Sequence, residues 1–360
     1  MRSRAAARAL LFCATAALVA STVGGAPAVA QASAPQVVPG MQFLFGVWCG
    51  GDGVCLGVGD TPQDGGAVVV LRANGQIGPV QPVPDAFVLY DIECAPGGGC
   101  IAVGRGLGGG VVVEVTRAGA PGPVRPVPGT TELFDVACPT PTTCLATGHL
   151  RQWPPTLSYP VSTPLYVVIN DGQPTLVRDM PRGTGRAIGI DCPTATTCLA
   201  IGSSGAVVLT NADGNWTASL RRSSNPSGSG HPTDAISCGS ATTCYATAAA
   251  FIQRPDGYLG VPGMVPVSSD GVVGPVQALA DQSGNSYDIS CVYWRSCSVV
   301  GSLNLGGGGL IVDVFRGTPT LTRWPGYQFL GVSCVGPSSC GVVGASGAGP
   351  VFLWHGSVPA

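Results

Sequence analysis

The hydrophobic pattern of this chain is written seven times. Two residues before a cysteine stand Val47, Ile92, Val136, Ile190, Ile236, Ile289 and Val332, always β-branched. Four before it stand Phe45, Tyr90, Phe134, Ile188, Asp234, Tyr287 and Leu330, mostly large and apolar. That alternation predicts a strand. Five residues rich in turn formers follow, such as PTATT after Cys192. A second cysteine then opens a second strand of small apolar residues, as in LAIG, IAVG and GVVG. A third apolar strand comes next, as in AVVVLRANG and GVVVEVTRAG, and most of these end in a polar-plus-glycine hairpin turn. The fourth segment is clearest in Ile77–Asp85 and Pro121–Gly129. Its Pro82, Pro84, Pro126 and Pro128 predict an outermost strand, where a missing N–H donor does no harm.

First cysteines recur every 43–54 residues, a period that marks a repeat architecture. Four-stranded units of this length stack radially, so the predicted fold is an all-β, seven-bladed β-propeller of four-stranded blades. Only six third strands have a fourth behind them. The missing one is expected at the other terminus, where Ser33–Gly40 (SAPQVVPG) reads like the fourth segments. It should pair beside Val351–Trp354 as the outer strand of the last blade, burying Val37 and Val38 and removing an exposed edge.

The cysteine pairs are Cys49 and Cys55, Cys94 and Cys100, Cys138 and Cys144, Cys192 and Cys198, Cys238 and Cys244, Cys291 and Cys297, and Cys334 and Cys340. Each pair sits at the facing ends of a predicted hairpin, where cross-strand Cβ atoms come within bonding range. Seven local disulfides are expected. Zinc sites favour closer cysteines with further ligands nearby, and His149, His231 and His355 share no spacing, so neither a metal nor a cofactor is expected. Residues 1–32 read as a secretory signal: Arg2, Arg4 and Arg8, an apolar Ala9–Val23, then small residues at Ala28 to Ala32. The mature domain is residues 33–360, expected to be secreted, extracellular and monomeric, with no transmembrane segment.

Charge narrows the partners. The formal charge of −2 becomes −5 without the three leader arginines, so nucleic acid is a poor partner. Lysine is absent and Gly, Ala, Val and Pro dominate, a bias that resembles secreted proteins of high-GC bacteria.

An apolar strand after an A-V-G segment, ending in a D-G turn, resembles the Asp-box (BNR) propellers. It is most similar to the photosystem II assembly-factor type. The nearest match is LTNADGNWT, Leu209–Thr217, with Asp213, Gly214 and Trp216; VSSDG, Val267–Gly271, is a fragment of it. The resemblance implies a propeller fold and, by analogy, an assembly or scaffolding role. It implies no chemistry, since these boxes stabilise turns. Sialidases on such a fold need an arginine cluster, a Tyr/Glu nucleophile pair and an acid/base aspartate. This chain has three glutamates only, Glu93, Glu114 and Glu132, and no F-R-I-P motif.

Two candidate regions remain. Asp91, Asp135 and Asp288 recur three residues before a first cysteine, either as an ion or substrate site in the central channel or as acceptors for the next blade's backbone. The latter is the preferred reading. The second region is one rim. Two repeats carry extra residues between strands two and three, His149–Pro164 and Ala249–Gly263, and the link Arg221–Pro232 is also long. These segments supply Arg151, Trp153, Tyr159, Arg221, Arg222, Phe251, Arg254 and Tyr258, the aromatic-plus-arginine mixture of binding interfaces. The function expected is non-catalytic binding of a protein or extracellular glycan; the runner-up is a carbohydrate-active hydrolase or lyase.

Overall fold

In the computed structural model the described residues are 34–153, 160–222, 232–255, 257–293, 296–304 and 306–356. They form seven separate four-stranded antiparallel sheets. In blade one the strands run Phe43–Cys49, Val54–Asp60, Gly66–Arg72 and Gln81–Val83, from the inner strand outward. Six blades follow this order. In the seventh, Gln36–Val37 takes the outer place beside Gly349–His355, with Gln36 opposite Phe352 and Val37 opposite Val351. The N-terminal segment therefore closes the ring as expected. Its burial is split: Val38 is fully buried and its N–H donates to the Pro350 carbonyl, whereas Val37 is 43% exposed. In an outermost strand alternate side chains face solvent, so only one of the two valines packs inward.

The hydrophobic core is seven cores, one at each boundary between blades. The cluster between blades one and two joins Leu56, Val58 and Val68 to Leu89, Ile92 and Val113. The closing cluster joins Leu44 and Leu71 to Val343, Phe352 and Trp354. Both faces of each sheet are covered, which is why the strands are apolar or small on both sides. All seven expected disulfides form, each across the turn between inner and second strands, with Cα atoms 3.8–4.0 Å apart. In the Asp-box-like turn, Asp213 and Gly214 adopt positive φ, and buried Trp216 lends its carbonyl to the Tyr166 hydroxyl at 3.1 Å.

The described residues of the two insertions, which exclude 154–159 and 256, are not loose loops. They prolong the second and third strands into long hairpins, Thr143–Gln152 with Val161–Asn170 and Thr243–Arg254 with Gly257–Ser268. Extending an antiparallel ladder pairs backbone groups that a loop would leave to water. No helix among the described residues is long and apolar enough to cross a membrane. The leader lies outside the described residues.

Candidate functional site

A repeated defect in the inner strands builds the channel mouth. The ladder between inner and second strands skips one residue at Phe45, Tyr90, Phe134, Tyr287 and Leu330, and more in blades four and five. A bulge re-aims the side chain it carries. Here it turns the residues four before the cysteine in blades one to three toward one another, so that ring centroids lie 5.7 Å apart for Phe45 and Tyr90 and 6.0 Å for Tyr90 and Phe134. The bulge fits because the second strand has glycine beneath it. A Cβ on Gly59, Gly104, Gly148, Gly301 or Gly344 would overlap the carbonyl oxygen of Phe43, Val88, Glu132, Asn285 or Gln328 respectively.

At this mouth Tyr90, Glu132 and His149 meet. The Tyr90 hydroxyl donates to Glu132 Oε2 at 3.0 Å, and Glu132 Oε1 lies 3.4 Å from His149 Nε2. Burial, reinforced by Glu132, pushes the Tyr90 phenol up to about 12, so it stays a donor. Burial, with help from Arg186 and Arg151, lowers the His149 pKa against the pull of Glu132 and keeps the imidazole neutral near pH 7. The Arg186 guanidinium stacks 5.2 Å over Phe134, whose ring lies 5.1 Å from His149. The sequence did not reveal this cluster, in which Glu132 opens the inner strand of blade three, Glu132–Ala137. The one available signal was that Tyr90 and Phe134 share a repeat position.

Below the mouth lies a channel cavity of about 350 Å³ lined by every inner strand. Asp91, Asp135 and Asp288 are there, and each reaches into the next blade. Their Oδ2 atoms accept from the backbone N–H of Val136, Ile190 and Val332 at 3.1, 2.6 and 2.7 Å. The acceptor reading therefore holds. A second tier, one residue before the cysteine, was not anticipated: Asp191, Ser237, Ser290 and Ser333 accept from the N–H of Cys238, Cys291, Cys334 and Cys49 at 2.6–3.0 Å. Where the repeat has glycine instead of aspartate, the blades touch at the backbone. A Cβ on Gly46 would lie 2.7 Å from Asp91 Cα, and one on Gly331 would lie 2.6 Å from the Phe45 carbonyl oxygen. Among the described residues no group of three or more His, Cys, Asp or Glu is placed to hold a metal.

These carboxylates are half-buried along the narrow channel, and no basic side chain lines the cavity with them. Desolvation pushes Asp288 up to about 7 and Asp191 up to about 6, and raises Asp91, Asp135 and Glu93 as well. Between about pH 4, the unfolded value, and pH 7 the folded chain thus binds more protons than the unfolded one, so its stability falls as pH rises. His149 opposes this as a single group, since its lowered pKa makes folding less favourable on acidification. The melting temperature is expected to be higher at pH 5 than at pH 8, by on the order of 5 °C. Calorimetry at the two pH values checks it, and the Asp191→Asn, Asp288→Asn double variant should flatten the difference.

The rim predicted for binding holds a separate cleft of about 710 Å³ between blades five and six. Arg254 and Tyr258, from the blade-five hairpin, line it together with Asp281, Gln282, Asn304 and Arg323. Arg254 Nη2 donates to the Asp281 carbonyl at 2.6 Å, and Arg323 Nη2 lies 3.5 Å from Asp281 Oδ1. Tyr258 is 76% exposed; Phe251 stands on the same hairpin, also exposed. Arg151 stands near the end of the second strand of blade three, exposed Trp153 lies just past it, and neither lines this cleft. Arg221 is engaged elsewhere, donating from Nε to the Asp270 carbonyl of the next blade's turn at 3.3 Å. Arg222 is exposed at the end of its outer strand. Tyr159 and residues 223–231 of the link lie outside the described residues. Arg323, Asp281 and Asn304 were not anticipated, because they come from blade six.

No protein-family model matches the chain, and no curated protein matches its sequence. Solved structures share its fold. A catalytically inactive virginiamycin B lyase from Staphylococcus aureus with quinupristin is 10% identical, with a TM-score of 0.59 over 89% of this chain and 98% of that one. YCF48 from Cyanidioschyzon merolae is 15% identical, with a TM-score of 0.54 over 90% and 99%. The Pan2 WD40 domain of Neurospora crassa is 11% identical, with a TM-score of 0.57 over 88% and 89%. At such identities the likeness is one of fold.

Proposed function

We propose that this chain is a secreted, non-catalytic binding propeller that engages a protein or an extracellular glycan through the rim carrying the two hairpin extensions. The observation that carries this reading is the cleft between blades five and six. There exposed Tyr258 and Arg254, on a hairpin paired along its length, face Arg323 of blade six across a polar floor. Rigid scaffolds presenting aromatic and arginine side chains on prolonged connections are suited to recognition. The leader-like residues 1–32 and seven disulfides support export to an oxidising compartment. The runner-up, a carbohydrate-active hydrolase or lyase, finds its best residues in Tyr90, Glu132 and His149. A phenol pushed up to about 12 disfavours it as a nucleophile or base and suits it to hydrogen bonding.

The test is a glycan array and a pull-down with the mature chain. Replacing Trp153 and Tyr258 together by alanine is expected to abolish capture of whatever is bound, while the melting temperature moves by no more than about 1–2 °C, both side chains being exposed. Capture that survives this change but is lost on altering the cysteine-turn rim would refute the assignment.

A further inference from the structure

We infer that the cleft between blades five and six takes an extended peptide, which adds as a further strand to the blade-five hairpin and sets a carboxylate against Arg254 and Arg323. The inference rests on the binding reading above and chooses protein over glycan within it. The starting point is where the outer ladder of blade five stops. Gly263 pairs with Ala278, and one further bond, from the Leu279 N–H to the Pro262 carbonyl at 2.8 Å, closes that ladder at the rim end. The third strand runs on past this point, as far as Gly257. Its inner edge stays paired with the second strand all the way to Arg254, without a shift of register.

Alternation tells which groups are left over. In an antiparallel strand the N–H and C=O of one residue point to the same side, and those of the next residue to the other. The Pro262 carbonyl points outward, so in an unbroken register Tyr258 and Gly260 direct both their backbone groups outward as well. Among the described residues neither has a partner on that side. Pro262 and Pro266, whose carbonyls accept from Leu279 and Gly274, hold the same outward positions and present no donor. Proline at such positions protects an edge from pairing. Tyr258 and Gly260 lack that protection.

The free edge borders the cleft. Tyr258 and Leu259 line one wall, while Asp281, Gln282 and Ser283, on their way to blade six, line the other. The second wall is anchored, since Asn304 donates to Ser283 from its backbone N–H and from Nδ2, both at 2.8 Å. From Gly257 to Val261 the edge is about 15 Å long, room for a strand of similar length. An alternating row of donors and acceptors at strand spacing is answered by another extended backbone.

Charge sets the anchor. Two exposed arginines line the cleft against one carboxylate, that of Asp281. Arg254 uses one N–H on the Asp281 carbonyl, and Arg323 lies 3.5 Å from the exposed Asp281 carboxylate, too loose a contact to neutralise it. Their remaining N–H groups suit a carboxylate, which guanidinium binds through paired donors. Asp234 lines the adjoining inner pocket beside Gly260 and Val261. The acidic group of the peptide therefore belongs at the hairpin tip, near Arg254, and not at the inner end.

Fluorescence anisotropy of the mature chain tests the inference, with labelled, end-capped hexapeptides of valine and threonine as probes. Each carries one aspartate, at a different position in each peptide, and each has a lysine counterpart. At least one aspartate peptide should bind, and its lysine counterpart about tenfold more weakly or worse. N-methylation of that peptide's backbone on alternate residues should weaken it about tenfold in one of the two phases, where ladder bonds are lost. Gly260→Pro removes an outward donor in register with Pro262 and Pro266, at a residue without positive φ, so the strand can accept it. It should weaken binding by a similar factor, and Arg323→Gln should erase the preference for aspartate; melting temperatures report whether both variants fold. The inference is overturned if no peptide binds, if lysine peptides bind as well, or if N-methylated peptides in both phases bind like the parent. A folded Gly260→Pro that binds unchanged overturns it too. Dimerisation lost in Gly260→Pro would give the edge to a second copy and overturn the peptide. A glycan captured through Trp153 and Tyr258, with no peptide bound, would overturn this inference alone; capture that ignores the cleft would end both readings.

Discussion

Gly104→Val is expected to cost about 4 kcal/mol or more, enough to prevent the chain from accumulating folded. Strand propensity alone predicts the opposite sign, since valine is among the best strand formers and glycine among the worst. The deciding effect is steric. A Cβ at Gly104 would overlap the Val88 carbonyl oxygen and lie 2.8 Å from Leu89 Cα, both of them backbone. The inner strand is held there because its bulge carries Tyr90 toward the mouth, so it cannot retreat without breaking the ladder on both sides. Gly51→Ala is the control, because nothing lies within 4 Å of the added Cβ. Denaturant midpoints of the two variants check the claim; equal midpoints would remove the explanation offered for the repeated glycine.

Deleting residues 33–39 should have the second largest effect, a loss on the order of 3–5 kcal/mol and a tendency to self-associate. The segment contributes the outer strand of blade seven, the Val38 N–H bond to the Pro350 carbonyl at 2.9 Å, and a fully buried Val38 side chain in the cluster joining blades seven and one. Burying one valine is worth about 1.5–3 kcal/mol and each ladder bond about 1 kcal/mol. Without the segment, the edge of Gly349–His355 is free to pair with another molecule. Melting curves and light scattering measure the two consequences. Val38→Asp should reproduce much of the loss, whereas Val37→Asp, at a 43% exposed position, should reproduce little. A deletion variant that melts like the parent would mean that the ring is not held by its N-terminus.

The blade, its disulfide, the count of seven and the closure were legible before any coordinates because they are local and repeated. A β-branched residue two before the cysteine must face a neighbouring blade in each repeat, so the requirement recurs at one position from Val47 to Val332. The prolines of Ile77–Asp85 can sit only where no donor is needed, and so they identify an outer strand. The insertions were placed correctly between strands two and three. Their form was not, because proline, glycine and polar residues signal a loop even where a ladder continues, as it does from Phe251 to Arg254 opposite Gly257 to Gly260.

What the tertiary structure decided is every meeting between blades. Tyr90 and Glu132 are 42 residues apart, Asp191 and Cys238 are 47, and Ser237 and Cys291 are 54. Arg221, read as a rim residue, donates to a turn of the next blade. None of these contacts follows from a local period, since each depends on how one sheet is rotated against the next and on where a bulge turns a side chain. A repeat must bury both faces of its own strands, and that necessity is written into its residues. Which polar groups then face one another across the boundary is set by the ring as a whole.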